Sequence, residues 1–164
     1  MPENLSDIGA ERAVLAGLLQ YGLDGYVSIS DIISTESFSN HNNQVIFSCM
    51  KHILDNDQSV DVASLLSAAQ HLNFIEVINT KQELAYINAL FDFPINQDNI
   101  FHFAIQVKKF EFAKKIRLLT TKIHKDVGQI TGEESVNEIL NILEDPVTDF
   151  LRAVSYTHLR AHET

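Results

Sequence analysis

Thirty consecutive residues, Asp98 to Val127, read DNIFHFAIQVKKFEFAKKIRLLTTKIHKDV without a proline or a glycine. No other stretch of the chain holds a helical pattern for so long, and the rest must be arranged around it. Its first half is apolar on several sides, through Ile100, Phe101, Phe103, Ala104, Ile105, Val107, Phe110 and Phe112. A helix start of that kind belongs among other helices. The second half narrows to Phe112, Ile116, Leu119, Ile123 and Val127, a stripe along one face of a 3.6-residue helix. Lys108, Lys115 and Lys122 recur on the opposite face. One end is therefore expected in a core, and the other projects with a stripe still to be covered.

The partner for that stripe follows directly. Gly128 suits a helix end. Thr131 and Glu134 have the spacing of a capping box. Val136, Ile139, Leu140 and Leu143 then recur at i, i+3, i+4 and i+7, and Pro146 is expected to stop the helix. The expected product is a helical hairpin.

Upstream, Ser6 or Asp7 can cap a helix over about Ile8 to Gln20, with Ile8, Val14, Leu15, Leu18 and Leu19 inward. A glycine-containing turn and a short helix near Tyr26 to Ile33 follow. A helix is expected from about Asn43 to Leu54, and another after Asp61. Phe74 to Asn79 reads as irregular or briefly extended. Thr80 and Glu83 open a further helix that Pro94 ends. No alternating strand pattern appears. The expected class is all-α, with a head of five to six helices at 1–97, the long helix and hairpin at 98–145, and the start of an interdomain linker at 146–153. Residues 154–164 match no preceding pattern and resemble translated adapter sequence. They are set aside as a non-native tail, which makes the chain a fragment of a longer protein.

Charge narrows the function. The net charge is −10. Residues 1–97 hold three basic and twelve acidic side chains, whereas 98–127 hold seven basic and three acidic. An acidic head argues against direct duplex binding, because phosphates require Lys and Arg. The single cysteine, Cys49, forms no internal disulfide, and the N-terminus lacks a signal-peptide pattern, which together suit the cytoplasm.

Several segments together resemble the N-terminal domain of DnaB-type replicative DNA helicases, bacterial or phage. They are Ala10-Glu11 with Val14-Leu15 and Leu18-Leu19; Phe38, Asn43 and Ile46-Phe47; Val60-Asp61 with Leu65; and Ala85-Tyr86-Ile87, Leu90, Pro94, Asn99-Ile100 and Val107-Lys108. Ala16 stands where the family usually has glycine, with Gly17 following, and Phe103 takes the usual tyrosine place. The resemblance implies a non-catalytic oligomerisation domain in DNA replication: a dimer of hairpins, a hexamer in the full-length parent, and a docking collar for primase. A helicase loader is a further implied partner, and DNA contact is weak or indirect. ATP and Mg would belong to a following motor domain. No G-x-x-x-x-G-K-[ST] loop occurs in the chain, so no cofactor and no catalytic activity are expected of it.

The candidate self-association residues are Ile116, Leu119, Ile123, Val136, Ile139, Leu140 and Leu143. The candidate basic face is Lys108, Lys109, Lys115 and Lys122, which suits a helical nucleic-acid-binding domain or simply a solvated surface. A free-standing adaptor or loader-like protein is another alternative. No catalytic or metal residues are assigned. His41, His52, His71, His102 and His124 show no ligand spacing, and His158 with His162 lie in the atypical tail.

Overall fold

The first helix begins where Asp7 caps it, its carboxylate accepting from the Ala10 backbone N–H at 2.9 Å. The computed structural model describes residues 4–155, and no strand occurs among them. The helices are α1 (Ile8–Val27), α2 (His41–Asp55), α3 (Val62–His71), α4 (Ile75–Ile78), α5 (Lys81–Phe91), α6 (Asn99–Val127) and α7 (Val136–Ser155), with a 3₁₀ turn at Thr35–Ser37. The chain forms two compact units, Met1–Glu111 and Phe112–Thr164.

In the first unit, each helix start has a local cause. The Asn40 side chain caps α2 through the Asn43 N–H. Asp61 and Ser64 form a reciprocal box at α3. Thr80 caps α5 through the Glu83 N–H. Around these ends, Leu15, Leu18, Phe38, Phe47, Met50, Leu65, Ile78, Ile87 and Ile100 are buried completely or nearly so.

Four expectations change here. The first helix does not stop at Gln20 but resumes past Gly22, whose φ of 58° and ψ of −133° break the helical path. Residues 28–32, expected to be helical, form turns, and Phe74 to Asn79 contains one helical turn instead of an extended piece. Ile8, expected inward, is 48% exposed, while Ala10 and Glu11 in the same turn are buried.

Close approach of helices explains two glycines. A Cβ on Gly17 would lie 2.5 Å from Ile100 Cγ1, and one on Gly25 would lie 3.1 Å from Ile100 Cδ1. The α6 isoleucine therefore sits in a groove that α1 keeps open with two residues lacking side chains. Beside it, Gln20 Nε2 donates to the Leu90 and Phe93 carbonyls, and Tyr21 OH donates to the Ile95 carbonyl. These bonds satisfy carbonyls at and beyond the end of α5.

The boundary between the units falls inside α6 and not at residue 97. Ile100, Ala104, Ile105 and Val107 are buried, and from Phe112 onward no described residue is fully so. In the second unit, the phenyl rings of Phe112 and Phe150 meet edge to face, with centroids 6.0 Å apart. Helix α7 thus returns along α6 as a hairpin. Its start and end both differ from expectation. Thr131 and Glu134 close a turn, with the Glu134 carboxylate accepting from the Thr131 and Gly132 N–H groups. The capping box of α7 is Ser135 with Glu138. Gly132, at φ 96°, supplies the left-handed backbone this turn needs. Pro146 does not end α7, which runs ten residues further than 145. The proline removes one backbone donor, the one that would reach the Ile142 carbonyl, while the Phe150 contact lies beyond it.

Candidate interaction surface

The hairpin presents its apolar residues outward. Ile116 is 47% exposed, Val136 73%, Ile139 36%, Leu140 57% and Leu143 58%, whereas Leu119 and Ile123 are half-buried. The candidate self-association set is therefore split: two residues are partly covered in the hairpin, and five lie open. Leu118, at 71%, and Leu151, at 47%, belong to the same exposed apolar population and were missed. Leu118 falls outside the four-three-four-four spacing used to find the stripe. Leu151 falls beyond Pro146, where a helix was not expected.

The basic face is reduced by the fold. Lys108 is buried, and its Nζ lies 2.6 Å from the Glu111 carboxylate, which also accepts from the Ser37 hydroxyl at 3.3 Å. It does not contribute to an exposed basic face. Burial there is a consequence of helix geometry: position 108 follows Ala104 and Ile105 onto the buried side of α6. Lys109, Lys115 and Lys122 are exposed, and Lys122 pairs with Asp126 at 2.8 Å.

A second group of residues is internal. Glu11, on α1, is only 2% exposed. Its carboxylate accepts from the Ser39 N–H at 3.1 Å, the Ser39 hydroxyl at 2.5 Å and Asn43 Nδ2 at 3.3 Å. Asn43 in turn accepts from Tyr86 OH at 3.0 Å. Burial holds the Tyr86 hydroxyl above its ordinary pKa of 10.0. The Arg12 guanidinium carbon lies 5.8 Å from the Tyr86 ring centroid and 5.0 Å from that of Phe93, and Asn42 donates to Glu83 at 2.6 Å. The network joins α1, the start of α2, and α5. A buried carboxylate is tolerated here because three donors replace its water. Three residues that carried the family resemblance, Glu11, Asn43 and Tyr86, thus meet in space.

No group of three or more His, Cys, Asp and Glu side chains converges as a metal site among the described residues. None of the described helices is long and apolar enough to cross a membrane.

The described residues form an acidic helical head and a helical hairpin with exposed apolar side chains. The model of the DnaB-like helicase N-terminal domain matches residues 3–109, and the chain belongs to that family. Among solved structures, the chain is similar to the crystal structure of the N-terminal domain of DnaB helicase from Mycobacterium tuberculosis. The TM-score is 0.75 at 14% identity, over 90% of this chain and 99% of that one. No curated protein sequence matches.

Proposed function

We propose that the chain acts as a non-catalytic N-terminal collar domain of a replicative DNA helicase in the cytoplasm, self-associating through the hairpin and offering a docking surface to primase. The observation that carries this reading is the open apolar face of the hairpin, including Ile116, Val136, Leu140 and Leu143. Fully burying one such side chain contributes roughly 1.5–3 kcal/mol. Covering five that are about half exposed, on each of two copies, would contribute on the order of 8–15 kcal/mol. Association costs about 4–15 kcal/mol. The margin is small, so a weak dimer is expected of the chain alone.

Primase and loader docking rest on family membership, as does the assignment of ATP and Mg to a separate motor. Amide exchange followed by mass spectrometry tests the hairpin reading. Peptides within 112–155 should gain protection as protein concentration rises, while those within 41–91 stay unchanged. Protection that is independent of concentration would count against it. Purified chain should also show no ATP turnover, and a cognate primase should be retained by the immobilised chain.

A further inference from the structure

His52 and His71 lie nineteen positions apart with no ligand spacing between them. The fold brings their rings to 6.2 Å, centroid to centroid, with planes inclined by 36°. Both line one polar cavity of about 380 Å³, together with Asn56, Gln58, Ser64 and Ser67. We propose that this pair is a transition-metal site of the head, with the two imidazoles binding zinc or a similar divalent ion and solvent completing its coordination.

Three observations select a cation. Imidazole is a good ligand for Zn²⁺, Ni²⁺ and Cu²⁺. Each histidine occupies the last turn of its helix, α2 or α3, where the carbonyl ends of the backbone attract positive charge and repel an anion. Residues 1–97 carry twelve acidic against three basic side chains. The distance is also suitable. Two imidazoles holding a tetrahedral ion at about 2.0–2.1 Å have centroids roughly 5 Å apart. The rings need to approach by only about 1 Å. His71 is exposed at the mouth of the cavity. Asn56 Nδ2 donates to the His52 carbonyl at 2.6 Å and fixes the end of α2 at the cavity rim. Bound metal would tie the ends of α2 and α3 together. Neither histidine belongs to the hairpin or to the Glu11 network.

The test is zinc chloride titration of the chain carrying His158→Ala and His162→Ala, which removes the other closely spaced pair. The readout is the imidazole carbon-bound proton resonances, alongside calorimetry. The His52 and His71 signals should move together and saturate at one zinc per chain. His71→Gln, at an exposed position, should abolish saturable binding with helical circular dichroism unchanged, and His52→Gln should do the same. No saturable binding, a shift confined to other histidines, or undiminished affinity in His71→Gln would overturn the proposal.

Discussion

Replacing Gly17 with alanine should destabilise the head, although alanine is the better helix former. Propensity alone favours the change by about 1 kcal/mol. Against this, the new methyl would stand 2.5 Å from Ile100 Cγ1 and 2.7 Å from Cδ1. Ile100 is fully buried, and its Cδ1 already faces Gly25, so rotation offers little escape. Overpacking of this kind costs about 1–3 kcal/mol, and the poor escape route puts it at or above the upper end. The expected net loss is about 2 kcal/mol, and a unit of this size loses about 4 °C per kcal/mol. Thermal unfolding followed by circular dichroism measures it. The decisive comparison is the same change in an Ile100→Ala background. There the clash is gone, and Gly17→Ala should become stabilising by up to about 1 kcal/mol. If Gly17→Ala raises the melting temperature of the unaltered chain, or lowers it equally in both backgrounds, the packing argument fails.

Other consequences can be checked as directly. Glu11→Gln places an amide donor among three donors and should cost about 1–3 kcal/mol in denaturant unfolding. Burial pushes the Cys49 thiol from its ordinary 9.0 up to about 11. The folded value is the higher one, so this contribution is intact below pH 9 and is lost as pH rises toward 11. The loss should reach about 1 kcal/mol by pH 10, and Cys49→Ala should flatten that slope. The native thiol should also react with thiol reagents only as fast as the head opens. Pro146→Ala should restore one backbone bond in α7 and increase its helicity, by up to about 3 kcal/mol in stability.

Much of the fold was legible because its signals are local. Caps at Asp7, Asp61 and Thr80 and apolar spacing in α2, α3 and α6 act within a few residues. What was misread depended on partners distant in sequence. Pro146 looked like a stop because the hairpin contact of Phe150 lies beyond it. Lys108 looked like part of a solvated face because the surroundings that bury it and its Glu111 partner come from far along the chain, Ser37 among them. Helix spacing placed Ile116 and Leu140 on open faces, but not Leu118, which its off-register position hid. Glu11 and Asn43 stood out only through the family pattern. Their hydrogen bond ties α1 to the start of α2 through a buried carboxylate, a contact 32 positions apart that local spacing does not reveal.

The claim that the hairpin is a self-association surface is tested most directly by sedimentation of the chain and of a Leu140→Asp, Leu143→Asp variant over a range of concentrations. Both leucines are more than half exposed, so the variant should fold. The unaltered chain should pass from monomer to dimer as concentration rises, and the variant should remain monomeric with the same melting temperature for the head. A chain that stays monomeric at the highest concentrations, or a variant that dimerises as well as its parent, would contradict the account.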